Sequence, residues 1–312
     1  ARTDWNSNFG ADSSFAGNET AQGNQDGNSI GDFYYEPPTD FLALCTSNLD
    51  APSIKKPGDN FNTILYDDGA GAKTGVGFQP DLVWVKSRGS DYDQKWTDSV
   101  RGVTKAIVSN DLTAETTDST GLTAFGADGF TVGADTDYSD TTGSGMAAWN
   151  WLAGTAPTAD NSAGAGATPT AGSVKIDGSN LGSALAGTIA ATRLSANTTS
   201  GFSIISYTGT GSVATIAHGL SQKPEWFVIK SIDYGRNWLL YNSPLGATYH
   251  LIFDGTNAAN TSSSYFNNTE PTASVITLGT DSLVNDTEDY VAYCFHSVEG
   301  YSKVGSYVGN GN

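Results

Sequence analysis

Positive charge is scarce in this chain. In 312 residues, 15 Lys and Arg stand against 33 Asp and Glu, a net charge of -18. A surface of that sign repels phosphate backbones and anionic membranes, so nucleic acid is not expected as a partner. Cysteine is almost missing. Cys45 and Cys294 lie far apart, with no CxxC and no zinc spacing, which excludes a disulfide framework; two free thiols is the plainer reading, with Cys294 a strand residue in "YVAYCF", although one bridge stays open. No run approaches 18 apolar residues, so no membrane insertion is expected. The opening "ARTDWNSNFG" is neither signal nor transit peptide, and an initial Ala without Met reads as a processed or trimmed chain. Histidine occurs three times, and helix formers are sparse.

What is abundant is turn and pleat material. The 37 Gly, with many Asn, Asp, Ser and Thr, suit turns, while 7 Trp, 14 Tyr and 13 Phe suit strands. One phrase occurs twice: "QPDLVWVK" at 79–86 and "QKPEWFVIK" at 222–230, each running from Pro through an acidic residue and an apolar run to Lys. Lys86 and Lys230 are 144 positions apart, and the spacing recurs in Gly102 with Gly246 and in Trp149 with Tyr293. "FNTILYDDGAG" matches "FSIISYTGTG", Trp96 answers Trp238, and "GFTVGADTD" answers "VITLGTDSL" with a drift of two residues. A duplicated unit follows.

The final "YSKVGSYVGNGN" matches the same opening strand, placing Tyr307 opposite Tyr207 only 100 residues on. The intrinsic period is then about 100 residues, with an insertion in the first interval. Apolar residues fall on both parities of the repeated strands, as in a strand covered on both faces. The expected fold is all-β: tandem antiparallel β-sandwich repeats over 51–153 and 198–300, joined by an Ala/Gly/Thr-rich low-complexity linker or insertion over 154–197, with one short strand around "SVKIDG". Residues 301–312 read as the start of a third repeat or a closing strand. Residues 1–50 share none of the pattern; there "DFYYEPPTDFLALCT" reads as an aromatic strand, a Pro-Pro break and a second apolar run.

The segments "FAGNETAQGNQDGNSIGDFYYEPPTDFLALCTSNL", "GVGFQPDLVWVKSR", "SVRGVTKAIVSN", "ADGFTVG", "LSANTTSGFSIISYTGTG" and "VAYCFHSVEGYSKVGSYVGNGN" together resemble an uncharacterised repeat family of phages of marine and freshwater bacteria. The resemblance implies that 1–50 is the C-terminal remnant of a SPRY-like, concanavalin-type β domain plus connector. It also implies a virion structural protein of the tail-fibre kind, localised to the virion or extracellular, with homotrimers common among fibre proteins. The family brings no catalytic residues with it.

Candidate sites are few. His250 and His296 answer Ala106 and Leu152 in the first unit, and His218 lies in a poorly aligned loop, so no base is shared between repeats and no enzyme is expected. The loops before Trp96 and Trp238 repeat their chemistry: Tyr92, Asp93 and Lys95 in one, Asp233, Tyr234 and Arg236 in the other. Sugar faces stack on such aromatics, which makes these eight residues a candidate repeated glycan site; equally, both Trp could be core. Asp135, Asp137 and Asp140 in "ADTDYSD" offer oxygen ligands for Ca²⁺, as Asp67 and Asp68 do in "DDGAG", but the EF-hand Gly and terminal Glu are missing and an acidic turn is the plainer reading. No other cofactor is expected. The combined expectation is a non-enzymatic virion surface protein that associates with itself, as a trimer or filament, and with other virion proteins. It would bind host cell-surface glycan by avidity. The rivals are a coat or filament protein with no ligand and, more remotely, a secreted glycan hydrolase.

Overall fold

The computed structural model describes residues 7–49, 51–67 and 69–310; Asp68 and the outermost positions of the 1–50 and 301–312 segments lie outside the described residues. The chain divides into an amino-terminal unit, to Pro52, and a larger unit from Ser53 onward.

The amino-terminal unit is organised by one carboxylate. Asp26 accepts backbone N–H groups of Asn28, Ile30 and Ala43 and the Asn48 amide, and Gly10 and Gly31 lie so close to Phe33 and Ala43 that a Cβ on either would collide. The expected aromatic strand is not formed. Among the described residues this unit has a single β-bridge, Asn24 to Phe33. Strands need a neighbour to take their hydrogen bonds, and here Tyr35, Phe41, Leu42 and Leu44 face solvent.

In the larger unit the first repeat contributes β1 (Phe61–Tyr66), β2 (Gly71–Thr74), β3 (Leu82–Ser87), β4 (Lys95–Asp98), β5 (Lys105–Val108), β6 (Thr116–Thr117), β7 (Leu122–Gly126), β8 (Gly129–Val132) and β9 (Met146–Trp151). The inserted segment supplies β10 (Val174–Ile176), β11 (Ser179–Asn180) and β12 (Arg193–Asn197). The second repeat follows with β13 (Phe202–Thr208), β14 (Ala214–Ala217), β15 (Trp226–Ser231), β16 (Leu239–Asn242), β17 (Tyr249–Ile252), β18 (Asn260–Thr261), the one-turn α1 (Ser263–Phe266), β19 (Val275–Leu278) and β20 (Asp289–Phe295).

The strand orders prove the duplication. The first main sheet runs β1-β9-β3-β4-β5-β6, and β13-β20-β15-β16-β17-β18 repeats it strand for strand. Each main sheet has a small companion, β2-β8-β7 and β14-β19. Pro80 and Pro224 stand just before β3 and β15, where their missing N–H costs no ladder bond.

Two features depart from the expected string of separate sandwiches joined by a linker. First, 154–197 is part of the fold: β10 runs parallel to β12, β12 pairs antiparallel with β13, and Val174, Leu185, Ile189 and Leu194 are buried in the second repeat's core. Its Ala and Gly content serves close packing, since a Cβ at Gly154 would meet the backbone of Lys175 and Ala196. Second, the repeats share a core. One face of each main sheet is covered within its own repeat, by residues such as Val83, Phe130 and Val132 in the first and Phe227, Ile276 and Tyr290 in the second. The other faces meet each other through Leu82, Trp96 and Ile107 on one side and Ile204, Val228, Trp238 and Tyr293 on the other. Apolar residues on both parities of β3 and β15 are thereby explained.

Candidate functional site

The repeated phrase folds into three devices, each present in both repeats. The acidic residue after Pro comes first. Asp81 accepts the N–H of Ala153 just past β9 (2.8 Å), and Glu225 accepts that of Ser297 just past β20 (2.8 Å). Asp81 is almost completely enclosed, and burial raises its pKa against the pull of these hydrogen bonds.

The terminal Lys comes second. Lys86 Nζ donates to the carbonyl oxygens of Ser90 (3.1 Å) and Tyr92 (2.7 Å), in the loop between β3 and β4. Lys230 Nζ donates to those of Tyr234 (3.5 Å) and Arg236 (2.8 Å), the same two positions of the loop between β15 and β16, and also reaches Leu112 of the first repeat (3.0 Å). An ammonium carries three donors and no acceptor, so it suits a loop whose carbonyls turn inward. Burial pushes Lys230 down to about 8.

Third, the Ser after each Lys bonds a carboxylate from the loop ahead of the closing strand: Ser87 Oγ to Asp140, and Ser231 Oγ to Glu288 (2.9 Å). From the sequence alone the Pro reads as a strand start, while the acidic residue and the Lys are seen to recur but have no role assigned. The available signal was that polar residues recurred at one spacing inside an apolar run, where nothing but a partner would retain them.

Against this frame the expected glycan site comes apart. Trp96 is 2% exposed and Trp238 0%, and their rings meet edge to face at 5.2 Å inside the shared core. A buried indole cannot stack on a sugar. Nor are the two equivalent: Leu82 faces Asp98 and Trp226 faces Asn242 across their ladders, so the counterpart of Trp96 is Leu240, and that of Trp238 is Gln94. The neighbouring polar residues are largely used internally. Lys95 pairs with Asp137 (3.0 Å), Asp93 accepts from the Asn110 amide (3.3 Å), Asp233 accepts the N–H of Asp289 (2.8 Å), and Arg236 is held by Glu288 and Ser282. Tyr92 is half-buried. Of the eight, Asp233 and Tyr234 are exposed, Tyr234 at 57%, with the Arg236 guanidinium 5.4 Å from the Tyr234 ring centroid.

The Asp135, Asp137 and Asp140 triad is likewise dispersed. Asp135 Oδ1 closes a turn on the Asp137 N–H (2.9 Å), Asp137 takes Lys95 and the Asp93 N–H, and Asp140 holds Ser87 and Thr142, which keep its carboxyl well below the usual range. The turn is a repeated fold element: Asp281 closes on the Leu283 N–H in the same way (2.9 Å). Gly133 and Gly279, two residues before each Asp, leave room for the Thr120 and Ser264 carbonyls, which a Cβ would strike. Among the described residues no group of three His, Cys, Asp or Glu side chains is placed to hold a metal ion.

The histidines are separate. His218 is buried, with Nδ1 accepting the Leu220 N–H (3.1 Å) and Nε2 facing the Thr272 carbonyl (3.2 Å). Because Leu220 N–H can only donate, the ring is fixed as the neutral Nε2–H tautomer, and burial pushes its pKa down to about 4. His250 lies tilted against Tyr265 (ring centroids 4.3 Å), and His296 bonds the Ser297 carbonyl. Cys45 is exposed and Cys294 buried, neither in a disulfide. A cavity of about 620 Å³ lies in the amino-terminal unit and is lined by Phe9, Phe15, Tyr34, Tyr35 and Phe41. No helix among the described residues is long and apolar enough to cross a membrane.

No curated protein and no solved structure matches the chain. One family does, twice, over 56–178 and 170–312, so that the matches divide the chain much as the strand orders do and overlap within the inserted segment. With both repeats accounted for, the chain belongs to the family described as Domain of unknown function (DUF7483).

Proposed function

We propose that the protein is a structural component of a phage virion surface, of the tail-fibre kind, working as a rigid body without catalysis. The observation that carries this reading is the internal use of the polar repeats. Asp81 with Glu225, Lys86 with Lys230, and Ser87 with Ser231 all bond the chain's own backbone or carboxylates. Duplication has therefore preserved architecture, and with it a double-layered slab of main sheets suited to bearing load. The phage setting rests on the sequence resemblance, and the neighbours it implies are other virion proteins.

Immunogold labelling of intact particles with antibody against residues 53–312 tests the reading: decorated appendages support it, and antigen found only in the soluble lysate sinks it. Attachment to host glycan is a second reading, favoured by one observation, the exposed Tyr234 ring beside Arg236. Glycan-array binding that disappears in Tyr234→Ala would support it; unchanged binding would place the contact elsewhere.

A further inference from the structure

The second repeat holds a cleft whose walls the first repeat lacks. It measures about 430 Å³ and is lined by Asn237 ahead of β16, His250 and Ile252 of β17, Asn257 and Asn260 beyond it, and Tyr265 of α1. Small-molecule sites span about 300–1,000 Å³. In a chain with 33 Asp and Glu, no Asp, Glu, Lys or Arg lines this cleft among the described residues.

The matching places in the first repeat carry different residues. Leu240 faces Leu251 as Trp96 faces Ile107, so His250 answers Ala106, which is buried. The Gly279 N–H bonds the Tyr265 carbonyl (2.6 Å) as the Gly133 N–H bonds that of Gly121 (2.8 Å), so Tyr265 answers Gly121. A Cβ at Gly121 would already strike Asp118 and Tyr138, which leaves no room for a ring there.

The Asn237 wall arises by an exchange. In the first repeat the Asn110 amide donates to Asp93 (3.3 Å), and Asn110 Oδ1 accepts the Gln94 N–H (2.8 Å). In the second, the Asn237 amide donates to Asp254 (3.0 Å), and Asp254 accepts the Trp238 N–H (3.0 Å). The bonded pair is kept with its members swapped, so that the amide lines the cleft and the carboxylate stands behind it.

These walls have a common chemistry. An amide both donates and accepts, as a hydroxyl does, and a carboxylate that only accepts fixes which end of the Asn237 amide it holds. Asn257 and Asn260 are exposed. Tyr265 is half-buried, with the His250 ring tilted against it at 4.3 Å between centroids. Burial lowers the His250 pKa against the opposing pull of Asp281, so the imidazole is neutral at pH 7. His250 Nδ1 is buried with no hydrogen-bond partner among the described residues. The terminal torsion of an imidazole is broadly two-fold, so the fold commits that edge of the ring to nothing of its own.

We propose that this cleft binds an uncharged saccharide, with the Tyr265 ring against the apolar face of the sugar and the amides of Asn237, Asn257 and Asn260 bonding its hydroxyls. His250 backs the Tyr265 ring and offers its uncommitted edge to one further hydroxyl. This gives the glycan reading a place that Tyr234 does not line, and it leaves the virion reading untouched, since a rigid particle component needs no ligand.

The test is NMR titration of the full chain, whose three histidines give few imidazole signals. The probes are glucose, galactose, mannose and N-acetylglucosamine, with N-acetylneuraminate as the charged comparison. At least one neutral sugar should shift the His250 signals saturably, and N-acetylneuraminate should not. The dissociation constant of that sugar, read by saturation transfer, should rise at least tenfold in Tyr265→Ala and in His250→Ala, the residue that the first repeat carries in its own folded sheet. Circular dichroism checks that both variants are folded. Absence of saturable binding by all four neutral sugars overturns the assignment, as does binding of N-acetylneuraminate as tight as theirs. Binding that both substitutions leave whole but Tyr234→Ala abolishes would place the contact at Tyr234 and overturn the cleft alone.

Discussion

The two repeats have one strand order and one set of polar devices, yet they bring different chemistry to the core they share. The first contributes charge: Asp98, fully buried, accepts from Arg101 Nε (2.6 Å) and from the Tyr293 hydroxyl of the second repeat (2.6 Å), while Arg101 also reaches Glu115 (2.9 Å). At the same positions the second repeat has Asn242 and the partly exposed Leu245. It contributes aromatic and aliphatic surface instead, with Trp238, Tyr293 and Val228. Duplicated scaffolds diverge where they touch each other and stay alike where they hold themselves. A feature common to both repeats is therefore weak evidence for a ligand, and a feature of one repeat is where to look for what is specific to the pair.

The largest effect that can break the comparison is at Arg101. Arg101→Met should lower stability by about 3–5 kcal/mol, the range for removing one partner of a buried ion pair and stranding the other, read from urea unfolding. A loss under 1 kcal/mol would mean that Asp98 is satisfied without it. Next comes acid. His218 has an ordinary pKa of 6.5 and a folded value of about 4, so between these values the unfolded chain binds more protons and stability falls as pH drops through that window. The part due to His218 should be about 2–3 kcal/mol between pH 7 and 4.5, from about 1.4 kcal/mol per unit. It should be missing in His218→Asn, and an equal acid loss in both proteins would remove the assignment. The smallest test sharpens the match between repeats: Lys86→Met and Lys230→Met should each cost about 1–3 kcal/mol by unpairing buried carbonyls. Lys230 should cost more, because it is fully buried and also ties Leu112; equal costs would show that this third bond adds nothing.

Much of the fold was legible in the letters. "DLVWVK" and "EWFVIK" gave strand type, spacing and duplication, because two-sided burial leaves a mark at every position. What was not legible is which surfaces the second face would meet. A Trp in a strand looks the same whether it faces solvent, a sugar or another sheet, so Trp96 and Trp238 could not be placed from sequence. In the insertion the short strand at "SVKIDG" was legible and is β10, but the packing around it was not, because Ala, Gly and Thr are read as flexible, whereas at Gly154 a small residue is what lets two strands approach. The acidic "ADTDYSD" looked like a ligand set because carboxylates that close turns and carboxylates that bind cations share the same letters; only their directions differ.

The lysine clamp has a consequence for how such a protein can change. Lys86 and Lys230 grip main-chain oxygens, and every residue type carries one of those in the same place. The side chains at the tips of 88–94 and 232–238 can therefore be exchanged while the loop keeps its path. Tyr234 shows the arrangement: its carbonyl is held by Lys230 while its ring, 57% exposed, points away from the clamp, so the side chain can change without redrawing the loop beneath it.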